Sequence, residues 1–206
     1  MTPIANAGLT RRRKRQSGTE FIEFALSALL LFPLMMGMII LGLNLGRSIQ
    51  VAQVCRDAGS MYVRGIDFSQ TANRNQLVRL ASGMGMTAAG GTGEVILSKV
   101  QFISASACTG IPNCNSNKYV VVQRLTIGAP SVTSSRLGPA GAVSTDSSGN
   151  VTNYMTDPNA VSTNFTSIMT LAANEYAFVA EASFLSPDLS TVGGSASTGI
   201  YARSVY

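Results

Sequence analysis

Few side chains in this chain of 206 residues could do chemistry, and histidine is not among them. Without an imidazole the commonest general base is missing, and Ser-His-Asp and Cys-His arrangements are excluded. The five Asp and five Glu are scattered, and no two are set apart as a catalytic pair. No P-loop, dinucleotide fingerprint or HExxH helix occurs. Gly83-Met84-Gly85 and the glycine-rich 90–93 stretch neither follow a strand nor open a helix, so they are not phosphate cradles. No enzyme activity, cofactor or metal is expected. What remains is two glutamates, Glu20 and Glu23, at the head of an apolar run, and three cysteines.

Cys108 and Cys114 enclose Thr-Gly-Ile-Pro-Asn, a turn-forming loop. Under oxidising conditions outside a membrane they are expected to pair. A loop this short gains about 2 kcal/mol from closure. Two thiolates with no histidine are a poor zinc site. Cys55 is the odd cysteine: either a small buried residue or a thiol joining two copies.

The element that positions the glutamates is the apolar run itself. From Phe24 to Gly46 the chain carries 23 residues and no charge. As a helix it covers roughly 34 Å, enough to cross a bilayer core. Before it stand Arg11-Arg12-Arg13-Lys14-Arg15. A basic cluster flanking an apolar span keeps that end in the cytoplasm, so the N-terminus is expected inside and everything after Gly46 outside. The net charge of +5 resides wholly in this run; the other ten Lys and Arg balance ten Asp and Glu. The basic pI therefore reads as a topology signal. A solvated tail is the plainer alternative, and nucleic acid is not an expected partner because no aromatics interleave with the cations. A cleaved secretory signal is the rival reading, but its apolar region would be shorter, and Gly46-Arg47-Ser48-Ile49-Gln50 is no A-x-A site.

A basic leader, Gly18, a glutamate five residues on, an aromatic and an apolar helix together resemble the processing region of a type IV-like prepilin. The finer resemblance is to the TadE/TadG-like pseudopilins of the tight-adherence (Flp) pilus system. It is carried by Gly18, Glu23-Phe24-Ala25, Leu29-Leu30-Leu31 and Gly46-Arg47, and extends over residues 11–65. The resemblance implies cleavage between Gly18 and Thr19 by a membrane prepilin peptidase. It also implies assembly with other pilin and pseudopilin subunits through the N-terminal helix, with Glu23 and Phe24 at its leading end. Glu23 would pair with the new amine of Thr19, on a neighbouring copy or on its own chain, since the two lie on one helix face. The alternative is that both glutamates merely complement the positive end of the helix dipole. The implied function is that of a minor pilin or pseudopilin of the bacterial inner membrane and pilus. An uncleaved, single-pass anchored binding protein is the other reading. A soluble domain with this helix as its core is a third, which the length of the apolar run disfavours.

Within the span, Pro33 removes the hydrogen bond to the Leu29 carbonyl. Gly37, Gly42 and Gly46 offer close-approach surfaces to neighbouring helices. The helix is expected to continue to about Arg64, with Leu45, Ile49, Ala52, Cys55, Gly59 and Tyr62 as its packing face. Three parts follow: a leader 1–18, a transmembrane and stalk helix 19–65, and an extracytoplasmic domain 66–206.

In that last part Ser69 is the expected N-cap of a helix over 70–84, with Leu77, Leu80, Ala81 and Met84 as its apolar stripe. Residues 88–93 read as a flexible connector. Val95–Ala105 and Tyr119–Ile127 read as a hairpin pinned by the two cysteines. Residues 129–166, rich in Ser, Thr, Gly, Asn and Pro, read as a long exposed excursion. A short helix is expected over Phe165–Asn174, a strand over Tyr176–Phe184, a flexible loop over Ser190–Ser197 and a last strand over Gly199–Tyr206. The fold class is α+β: a long N-terminal helix followed by a small, mainly antiparallel sheet packed on its outer half.

Overall fold

The computed structural model describes residues 17–130, 135–138, 143–185 and 199–206. Its elements are helices α1 (Ser17–Val63) and α2 (Thr71–Leu80) and strands β1 (Met86–Thr87), β2 (Gly90–Gly91), β3 (Gly93–Ile103), β4 (Lys118–Gly128), β5 (Tyr176–Phe184) and β6 (Ile200–Val205). The fold is α+β, a long apolar N-terminal helix followed by a small domain built on an antiparallel sheet. The chain divides into two compact units between Leu43 and Asn44.

The first unit contributes one helix, the opening half of α1, which continues through Pro33. It is long and apolar enough to cross a membrane, and none of its most apolar stretch is buried. Phe21, Phe24, Leu29, Leu30, Met38 and Leu41 are each about 70 % exposed. These residues point in all directions around a helix of 3.6 residues per turn, so the apolar surface is complete rather than a stripe. The disfavoured alternative, a soluble domain with this helix as its core, gains no support from a stretch that is unburied among the described residues.

In the second unit the four main strands lie in the order β4-β3-β5-β6, every pair antiparallel. Alternation along the strands builds two cores, one on each face. On the first face Val51, Val54, Cys55, Ala58 and Tyr62 of α1 pack on Val95, Leu97, Leu125, Ile127, Ala180 and Ala182. The packing stripe differs from the expected one. Cys55, Gly59 and Tyr62 are in it, but Leu45 and Ile49 are 65 % and 52 % exposed and Ala52 points outward. Two neighbouring stripes satisfy the helical period here. The sheet takes the one bearing Ala58 and Gly59, whose small size allows close approach: a Cβ on Gly59 would lie 3.2 Å from that of Ala180.

Helix α2 is shorter than expected and its N-cap is Gln70, not Ser69. The Asp67 carboxylate orders the preceding turn by accepting from the Ser69 N–H at 2.9 Å. The helix ends at Leu80 because Gly83 and Gly85 take left-handed φ of 86° and 73°, which turn the chain back. Leu77 and Ala81 of its stripe are buried, whereas Leu80 is exposed. The expected connector 88–93 is instead partly ordered, with Met86 paired to Gly91 and Thr87 to Gly90.

The second face of the sheet carries the largest departure from expectation. Residues 135–138 and 143–168 are not an exposed excursion; they fold back and bury Leu137, Val151, Ala160 and Phe165 against Val100, Val120, Ala177 and Val179. Irregular backbone lies over a core only when its polar groups find partners. Asn115 supplies two, donating to the Tyr154 and Asp157 carbonyls at 2.9 and 2.8 Å, and the Ser162 hydroxyl donates to Leu137 O at 2.7 Å. The same segment bridges Val120 to Val161 and Gln123 to Asn150, covering the outer edge of β4 against strand addition. The helix expected over 165–174 is only a single turn, Phe165–Ser167. The loop expected over 190–197 lies outside the described residues.

Candidate functional site

The sequence places its candidate site at the head of α1. Gly18 and Thr19 stand in the first turn of the helix, which begins at Ser17, with Glu20 in the same turn. Thr19 and Glu23 are four residues apart and share a face. Both glutamates are exposed, and Glu20 lies in the first turn, where a carboxylate complements the positive end of the helix dipole, while Glu23 lies a turn further on. Phe21 and Phe24 beside them are 73 % and 69 % exposed. Space around Gly18, Gly37, Gly42 and Gly46 is open to 4 Å, so the close-approach positions are uncovered. Residues 1–16, with the basic run and most of the leader, lie outside the described residues.

Cys108 and Cys114 form a disulfide with Cα atoms 5.6 Å apart, closing the β3–β4 loop. It belongs to the second unit. Cys55 is buried and its thiol donates to the Ala180 carbonyl at 3.2 Å. Burial pushes this thiol above its ordinary value of 9.0, so it is a packed, unreactive residue. The reading of Cys55 as a link between copies does not survive this burial. No group of three metal-ligating side chains occurs among the described residues.

A polar cluster not anticipated from the sequence lies under the irregular cover. Glu181, in the middle of β5, is 2 % exposed. Its carboxylate accepts from the Ser135 hydroxyl, from the Arg136 N–H at 2.9 Å and from the Tyr201 hydroxyl at 2.6 Å. Arg124 donates to Ser98 Oγ at 3.3 Å, to Ser135 Oγ at 3.4 Å and to Gly138 O at 3.2 Å. Arg136 stacks over the Tyr201 ring at 3.9 Å. Burial lowers the proton affinity of Arg124, and the Glu181 charge opposes that. Burial first, then the bond to Glu181, holds the Tyr201 hydroxyl protonated well above its ordinary value of 10.0. The cluster is a clasp that ties residues 135–138 to the sheet. The one signal for it in the sequence is a single carboxylate interrupting the apolar strand Ala177–Phe184.

No protein-family model, curated protein or solved structure matches this chain.

Proposed function

We propose that this chain is a minor pilin or pseudopilin of a tight-adherence, type IV-like pilus system. It enters the inner membrane with its basic leader in the cytoplasm and its sheet domain outside. A prepilin peptidase then cuts between Gly18 and Thr19, supplying the chemistry for which this chain is the substrate. The mature protein keeps its apolar helix and uses it to pack against sister pilin helices in the membrane or the filament.

The observation that carries this reading is the division of labour along α1. One helix of 47 residues has an opening half apolar on every side and a closing half whose stripe is fully occupied by its own sheet. The most apolar stretch of the first half is unburied among the described residues, and its leading turns carry Gly18, Thr19, Glu23 and Phe24 at prepilin-like spacing. Lipid satisfies the apolar surface, while the open glycines suit helix-to-helix contact. Glu23 at the membrane edge would be neutralised by the Thr19 amine of a neighbour.

The test is the intact mass of the protein extracted from membranes of a cell that carries the pilus machinery. Loss of residues 1–18 is the expected result. A product still bearing Arg11–Arg15 would refute maturation and leave an anchored binding protein in its place.

A further inference from the structure

On the face of the sheet that carries α1, a cleft opens just past the end of that helix. It has two lobes of about 380 and 290 Å3 that share Lys99 and Gln123. Its floor is set by strand register. Gln123, Lys99 and Phe178 form one cross-strand row, and Gln101 pairs with Tyr176 two residues further on. Between these rows β4 is bulged at Val122, a device that re-aims side chains beside functional sites. Asn150 and Tyr154, from the irregular cover, form the wall of the second lobe.

Three features of this second lobe face its open space. Gln101 is only 8 % exposed, yet its side-chain amide has no hydrogen-bond partner among the described residues. Gln101 lines the lobe, so a ligand entering it can meet this amide. The Lys99 ammonium sits 4.0 Å from the Tyr176 ring centroid and 5.5 Å from that of Phe178, with no carboxylate partner among the described residues. No Asp or Glu lines the lobe. Tyr176 is 47 % exposed and Tyr154 half-buried, so two aromatic rings border the same space.

Amides that donate and accept at one point match vicinal hydroxyls. An aromatic face matches the apolar face of a pyranose ring, and an unpaired cation matches a carboxylate. We infer that this cleft binds an acidic sugar, a pyranose carrying a carboxylate, within a glycan. An extended peptide is disfavoured, because the β4 edge that would pair with it is covered by residues 149–151 and 161–162. A nucleic acid would need more than one cation. The cleft is formed entirely by residues of the second unit, so this site stands whether or not the leader is cleaved.

The test uses the full chain in detergent micelles, titrated by calorimetry with trigalacturonate, sialyllactose and neutral lactose. Saturable binding of trigalacturonate or sialyllactose is expected, and the one bound identifies a uronate or a sialic acid. Lactose should bind at least about 5-fold more weakly, the worth of one exposed ion pair. Tyr176→Ala should weaken binding about 10-fold through lost ring contact, and Lys99→Met should abolish the preference for the acidic sugars. Both positions are accessible, so thermal midpoints report whether the variants fold. Four outcomes overturn the inference: no binding of either acidic sugar, equal binding of lactose, wild-type binding by both folded variants, or displacement of the sugar by an equimolar acidic tripeptide.

Discussion

Replacing Glu181 with Leu should be among the most damaging single changes in the sheet domain. The substitution removes the acceptor for the Ser135 hydroxyl, the Arg136 N–H and the Tyr201 hydroxyl. It also leaves the half-buried Arg124 guanidinium without the carboxylate that opposes its desolvation. Each bond to a charged acceptor is worth about 1.5–3 kcal/mol, but bonds within one network do not add. Three such bonds to one buried carboxylate, discounted for that non-additivity, set a scale of roughly 3–5 kcal/mol. For a domain of this size 1 kcal/mol moves the melting temperature by about 2–4 °C, so a fall of roughly 6–20 °C is expected. The assay is thermal unfolding of the detergent-solubilised chain followed by circular dichroism. Arg124 shares Ser135 with Glu181, so a double variant with Arg124→Met should lose at least about 1 kcal/mol less than the sum of the single losses. A Glu181→Leu midpoint within about 2 °C of wild type, or strict additivity in the double variant, would show that the clasp does not hold residues 135–138 down.

Gly18→Val should block maturation, seen as an intact mass that retains the leader; normal processing would remove the proposed peptidase site. Glu23→Ala should leave membrane insertion unchanged and sharply reduce incorporation into filaments, measured by piliation and co-purification with pilin subunits. Gly59→Val should destabilise the domain by about 3 kcal/mol in chemical unfolding, because an added Cβ would meet Tyr206 Cε2 at 2.5 Å, Ser204 Oγ at 3.1 Å and the Ala180 Cβ at 3.2 Å; an unchanged midpoint would mean the helix and sheet separate freely. Alkaline pH should weaken the fold. Burial raises Tyr62 and Tyr201 above their ordinary 10.0 and Cys55 above its ordinary 9.0, so the folded state keeps protons the unfolded chain would release. That stability is fully present below pH 9 and declines progressively as pH rises above 9 and then 10, and a melting temperature that stays flat from pH 9 to 11 would contradict it.

Much of the architecture was readable from local pattern. The absence of charge from Phe24 to Gly46 determines an apolar helix of spanning length wherever it lies, because hydropathy and helical rise are properties of the chain alone. The β-branched runs around 95–103 and 119–127, and the alternation at 176–184, identify three strands of the sheet for the same reason. A six-residue separation likewise suffices to suggest the Cys108–Cys114 closure. The head of α1 could be singled out because its signal is contiguous: five cations, a glycine, a glutamate and an apolar run in one line.

Only the tertiary structure decided what depends on partners distant in sequence. Which of two adjacent stripes of α1 faces the sheet was settled by Gly59 meeting Ala180, 121 positions away by chain number. The stretch 129–166 has the composition of an exposed loop, yet Leu137, Ala160 and Phe165 go inside. Asn115 and Glu181, from elsewhere in the chain, satisfy polar groups of the segment as it crosses the sheet. The cleft floored by Lys99, Gln101, Gln123 and Tyr176 exists only through the register of three strands, and no window of sequence contains it. Local propensity determines which elements form, whereas burial and the pairing of polar groups across the chain decide which surfaces those elements share and which they leave open.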